Sequence, residues 1–106
     1  MATRFADLTH EGRNDQRHDV HHRLRVKTGH TGHHTVTIVN LSVQGFMARS
    51  DHDFAIGDRL LVPMPGSGVF EAEVRWSLGG RIGCRLDRAI PIAAFYAMLT
   101  IMTPRA

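Results

Sequence analysis

The chain has one cysteine, one lysine, one tryptophan, one tyrosine and four prolines among its 106 residues. The lone Cys84 excludes an intramolecular disulfide and any metal site built from several thiolates, and such sparing use fits a reducing compartment. Long hydrophobic runs are missing too. The longest, Ile90 to Met102 with Thr100 inside it, is well short of the ~20 residues needed to cross a bilayer. The first residues, Met1 to Asp7, do not have the charged-then-apolar order of a secretory signal. No membrane span and no export are therefore expected, and the location is expected to be cytoplasmic. A chain of 106 residues is also too short for a two-domain enzyme with a separate cofactor-binding half, or for a deep substrate cavity.

What is present on the basic side is arginine. All of the 13 basic residues except Lys27 are Arg, so planar bidentate donors, suited to phosphates and the guanine edge, replace point charges. Anionic partners are expected. The net charge of only +3, with 10 acidic residues interspersed, argues against a protein that tracks DNA. Hydrophobic and charged fractions of 42% and 22% are those of an ordinary globular domain.

Residues 1–19 hold few large apolar groups and are expected to form a flexible N-terminal arm, with the folded domain spanning 20–106. From Val20 the pattern alternates, with Val20, His22, Leu24 and Val26 on one face and His21, Arg23, Arg25 and Lys27 on the other. Strand patterns recur over His33 to Val39, Phe46 to Arg49 and Arg59 to Val62, where Pro63 and Pro65 end the strand or put it at an edge. Asn40 to Gly45 carries turn chemistry. In Val69 to Trp76, Phe70, Ala72, Val74 and Trp76 alternate against Val69, Glu71, Glu73 and Arg75, and Gly79-Gly80 turns the chain into Arg81 to Leu86 as a hairpin. Six short strands punctuated by Gly and Pro predict an all-β fold, a six-stranded antiparallel barrel, because curling hides sheet edges. Pro91 followed by Ala, Met and Leu predicts a C-terminal helix with an apolar stripe of Ile92, Phe95 or Tyr96, Leu99 and Met102. That stripe is expected to pack on the barrel or to serve a partner.

Two short patterns carry the chemistry. Arg13-Asn14-Asp15-Gln16-Arg17 is an Arg-x-x-x-Arg just before the first strand, and Asn40-Leu41-Ser42-Val43-Gln44-Gly45 is an Asn-x-Ser-x-x-Gly at a strand-to-strand turn. Each alone is explained by solvated charges or by a plain turn in which Gly45 supplies a positive φ. Together, with Ile56-Gly57-Asp58, Glu73-Val74-Arg75-Trp76 and Ile82-Gly83-Cys84-Arg85-Leu86 further along the chain, they resemble the PilZ domain family. The resemblance implies a six-stranded barrel with a C-terminal helix that binds the bacterial second messenger cyclic di-GMP without catalysis.

Cyclic di-GMP presents guanine O6 and N7 acceptors and two phosphodiesters, each of which an arginine fork matches bidentately. Arg13 and Arg17 fit that need from the arm, whose ordering over the ligand would be the signal. Asn40 and Ser42, one residue apart on an extended backbone, point the same way and can bond guanine or phosphate. Gly45 allows a turn or a close approach that a Cβ would block. Trp76 could stack on a guanine, although a lone Trp at the end of an alternating strand is more often a packing residue. The expected partners are cyclic di-GMP and a protein to which the signal is relayed, with the receptor itself a monomer or a dimer.

Two other readings compete. His18, His21 and His22 are echoed by His30, His33 and His34, a spacing open to metal binding or to a pH response that strengthens phosphate attraction. A protein-interaction module that ignores the nucleotide is the other. An enzyme is not expected, because neither Cys84 nor Ser42 has a motif that supplies a base.

Overall fold

The alternation read from Val20 begins two residues earlier, at His18, and it closes on itself. The computed structural model of the chain describes residues 16–29 and 32–104, so Arg13 and the rest of the expected arm up to Asp15 lie outside the described residues, as does His30. Six strands run in the order β1 His18–Thr28, β2 Gly32–Ser42, β3 Gly45–Ser50, β4 Arg59–Met64, β5 Gly68–Leu78 and β6 Arg81–Leu86. One helix, α1, spans Ile92–Met102. All neighbouring strands are antiparallel, and they form a closed barrel in the order β1-β2-β3-β6-β5-β4. The expected all-β barrel with a C-terminal helix is what the chain forms.

Closure rests on a short seam, since β1 meets β4 only through Lys27 with Leu61 and Thr28 with Leu60. Pro63 lies beyond that seam and pairs only with Val69 of β5, so its missing N–H faces no ladder partner on the open side. The β5–β6 hairpin turns at Gly79-Gly80, both at positive φ (61° and 80°), the backbone that a two-residue connection of matching twist requires.

The barrel interior is filled. Phe46, Phe70, Ile38, Leu41, Leu60 and Ile82 are the largest residues buried from the strands, each 0–1% exposed. Phe95, Met98 and Met102 of α1 join the same core, and the Phe95 ring meets His18 edge-on at 5.4 Å. The helix stripe differs from the expected one. Phe95 and Met102 are buried and Leu99 is half-buried, but Ile92 and Tyr96 face outward, because Met98 rather than either of them continues the inward line. No described helix is long and apolar enough to cross a membrane.

Three register shifts break strict alternation. They fall between Asp19 and His22 in β1, between Ile38 and Asn40 in β2, and between Val74 and Trp76 in β5. Each inserts one residue on its strand; in β2 and β5 the residues beyond it change face, whereas in β1 the even-numbered residues stay inward on both sides of the shift. Two corrections to the sequence reading result. Asn40, Leu41 and Ser42 belong to β2 rather than to the turn, which is only Val43-Gln44. Trp76 does not share the inward face of Phe70, Ala72 and Val74; it is 42% exposed on the outer wall.

Candidate functional site

The β2 shift places its polar residues outward. Before it, Val36 and Ile38 point into the core; after it, Leu41 and Val43 do, so Asn40 and Ser42 take the outer wall together. In register, Trp76 of β5, Gly83 of β6, Met47 of β3, Asn40 of β2 and Asp19 of β1 form one continuous row across the barrel. On this row an open cavity of about 380 Å³ is bounded by Arg17, Ser42, Gly45, Trp76 and Arg85, with Arg75 at its rim.

Two glycines hollow that wall. Gly83 lies under the Trp76 indole, which occupies the place a Cβ would need, so ring and glycine form a flat cross-strand platform. Gly45 lies against the carbonyl of Cys84, again leaving no room for a Cβ. Its φ is not positive, so the close approach and not a left-handed turn explains this glycine.

The Ser42 hydroxyl is 1% exposed and organises the two-residue turn, accepting from the Gln44 N–H at 3.2 Å and donating to the Gly45 carbonyl at 3.4 Å. The second bond is at the outer limit of hydrogen-bond length. Arg17, ahead of β1, donates from Nη1 to Asn40 Oδ1 at 2.9 Å. The amide thus orients one guanidinium at the cavity edge while leaving other N–H groups of its fork available.

Among the described residues the cavity lining carries three guanidinium groups, from Arg17, Arg75 and Arg85, and no histidine or carboxylate. None of the three is ion-paired among the described residues. Cys84 forms part of the floor, and burial pushes its thiol up to about 12, so it stays protonated and non-nucleophilic at neutral pH. With unpaired cations, an aromatic plane and hydroxyl and amide groups, the arrangement can hold a flat anionic molecule.

The sequence motifs named Arg17, Asn40, Ser42, Gly45 and Trp76, and the fold brings all five to one stretch of outer wall. Asn40 reaches the cavity through Arg17 and does not itself line it. Sequence reasoning missed Arg75 and Arg85. Arg85 alternates outward between Cys84 and Leu86 and was open to that inference, but the bulge that sets Arg75 beside an outward Trp76 left no mark in the pattern.

The histidines separate instead of converging. His34 stacks on His52 with ring centroids 3.8 Å apart, both edge-on to Phe54, while His18 meets Phe95 and His21 is exposed. Burial first, and then the charges of His52 and His33, hold His34 below its ordinary pKa. Among the described residues no three His, Cys, Asp or Glu side chains gather as a metal site.

Comparison with known proteins agrees with the architecture. No curated protein and no solved structure matches the chain. The PilZ domain model matches residues 11–97, a span that includes both arginines of the first motif, all six strands and the first half of α1. The chain therefore belongs to the PilZ domain family, whose known role is reception of cyclic di-GMP.

Proposed function

We propose that this chain is a cytoplasmic cyclic di-GMP receptor that passes the signal to a protein partner and does not transform the nucleotide. The observation that carries it is the convergence of Arg17, Arg75 and Arg85 with the Trp76 plane around one cavity. A guanine base stacks on the indole over Gly83, where a planar ring finds a planar surface. Its O6 and N7 acceptors receive a bidentate arginine, for which Arg17 is the residue already oriented, by Asn40. The phosphodiesters take the remaining guanidinium groups and the Ser42 hydroxyl, in charge-assisted bonds roughly twice as strong as neutral ones. Arg13, four residues before Arg17, adds a second fork when the arm closes. Gly45 keeps the wall low enough for the ring to approach.

Closure is the signalling event in this reading, since ordering the arm around bound nucleotide changes the surface that a partner meets. Calorimetric titration with cyclic di-GMP tests it. Wild-type protein binds, and Arg17→Ala loses about 1–3 kcal/mol, a factor of roughly 5 to 150 in affinity, as expected when one bidentate guanine contact is removed. Absence of heat at high micromolar nucleotide would leave an interaction module of the same fold, and unchanged affinity in the variant would remove Arg17 from the site.

A further inference from the structure

One register step along the outer wall from the nucleotide row lies a second row with a different composition. Leu78 of β5, Arg81 of β6, Arg49 of β3, Thr37 of β2 and Arg23 of β1 are consecutive cross-strand partners. Arg49 and Arg81 stand two residues from Met47 and Gly83, so on β3 and β6 the rows run about 7 Å apart, and they diverge to three residues on β2 and four on β1. Between Arg23 and Arg49, over Thr37, the wall opens into a cleft of about 250 Å³ with Asp51 at its edge. This is too small for a dinucleotide and sufficient for one anionic side chain.

The charges in this row have no use inside the molecule. Among the described residues the ion pairs are those of Arg59 with Glu71 and with Asp87, on the β4–β5 side of the barrel. Within that set Arg23 and Arg49 have no ion-pair partner, and the side chain of Arg81 reaches only the Met47 sulfur, at 3.9 Å. Arg25 and Lys27 continue the basic surface along β1, both exposed. At the far end of the row stands Leu78, 79% exposed, the most exposed large hydrophobic residue of the described chain. Two arginines about 10 Å apart across one intervening strand can both reach a group held over Thr37.

We infer that this row is the docking surface for an acidic segment of a protein partner that carries an apolar residue. The combination favours a peptide over a nucleic acid. Arginine forks accept carboxylates bidentately, the exposed Leu78 offers an apolar contact that a phosphate backbone cannot use, and Asp51 repels a continuous polyanion at the cleft. The row follows five of the six barrel strands, a curved backbone path of about 19 Å that an extended segment lying outside it needs more than about six residues to follow. Its binding chemistry does not depend on the nucleotide.

The test is fluorescence anisotropy of the full chain, without nucleotide, using a labelled peptide of alternating Glu and Gly that contains one Leu. Wild-type protein should bind it in low salt. The double variant Arg23→Gln/Arg49→Gln should bind at least tenfold more weakly, since each lost charge-assisted contact is worth a several-fold change, while keeping its circular dichroism and its affinity for cyclic di-GMP. Leu78→Ser should weaken this peptide but not one lacking Leu. The inference is overturned if wild-type protein ignores the peptide, or if the double variant binds it as well. It is equally overturned if duplex DNA binds as tightly with the same dependence on Arg23 and Arg49, or if Arg17→Ala alone abolishes peptide binding, which would move the peptide into the main cavity. Loss of nucleotide binding with peptide binding intact would refute only the receptor reading.

Discussion

Replacing Gly83 by alanine is a way to move Trp76 without touching it. The added methyl would occupy the space now filled by the indole atoms Nε1, Cε2 and Cδ1, so ring and methyl cannot coexist in this geometry. The backbone of β6 is fixed by neighbours on both sides, whereas the indole is 42% exposed at the end of a two-torsion side chain. The indole is therefore what moves. Even complete release of its covered face exposes on the order of 100 Å², about 2–3 kcal/mol at ~25 cal/mol/Å², and a rotation that keeps part of the contact costs less. The fold should survive with modestly reduced stability. Nucleotide binding should suffer more, because stacking of one base on an aromatic ring is worth about 1–3 kcal/mol, or roughly 5- to 150-fold in affinity. Trp76 is the single tryptophan, so its fluorescence reports the site directly. Wild-type emission should change on titration with cyclic di-GMP, and Gly83→Ala should show red-shifted emission, a diminished response and weaker calorimetric binding. Trp76→Ala, with the glycine intact, should lose a similar amount of affinity. If both variants bind like wild type, stacking over Gly83 is not how the base is held; if only Trp76→Ala weakens binding, the platform geometry derived from Gly83 is wrong.

Three further outcomes concern the same wall and its surroundings. Gly45→Ala brings a Cβ against the Cys84 carbonyl with backbone on both sides, so β3 and β6 must part, and urea denaturation should register a loss of about 1–3 kcal/mol; an unchanged midpoint contradicts the close approach. Cys84, with its thiol pushed up to about 12 by burial, should resist alkylation in the native protein at mildly alkaline pH and react only after unfolding, so rapid native labelling would show the floor to be open. His34, held below its ordinary 6.5 first by burial and then by His52 and His33, makes the unfolded chain the better proton acceptor. Its contribution to stability is fully present above about 6.5 and declines as the pH falls below that value. Urea midpoints of His34→Gln should consequently depend less on pH across this window than those of wild type, and parallel curves would refute the assignment.

How much of this was legible in the sequence depends on whether the signal was periodic. Alternation in β1, where Val20 and Val26 are buried and Arg23, Arg25 and Lys27 are exposed, and the Gly79-Gly80 hairpin were written plainly, and strand count with turn spacing gave the barrel. Asn40 and Ser42 share the outer wall because they are two apart on an extended strand, a rule that holds wherever both residues lie on the same side of a bulge. Trp76 was misassigned for the complementary reason. It lies just past the inserted Arg75, where counting by twos fails, and the alternation Phe70, Ala72, Val74, Trp76 extrapolates smoothly across a break it does not reveal. A sequence clue did exist in the glycine of Ile82-Gly83-Cys84, since a glycine within a strand often lies under an aromatic neighbour. For the helix, an apolar residue at nearly every position left the inward face undetermined, and only the packing of Met98 against the core decided between Phe95 and Tyr96.

The bulges account for the concavity that the proposed site uses. A small barrel whose interior is occupied by residues such as Phe46, Phe70 and Ile38 has no room for a doubly anionic ligand, and desolvating two phosphates among apolar side chains would be prohibitive. The proposed binding is therefore to the outer wall. A strictly alternating outer wall, however, is convex and carries evenly spaced long side chains that offer no concavity. Here Gly45 and Gly83 remove two of those side chains, and the β2 and β5 shifts turn Asn40, Ser42 and Trp76 toward the gap. The third shift, in β1 between Asp19 and His22, falls on the strand directly after Arg17, whose guanidinium ends on Asn40. All three irregularities therefore border one row of the barrel. Removing the β2 or β5 shift would restore strict alternation on its strand and flatten the wall, so these departures from ideal strand geometry are what give the proposed site its concavity.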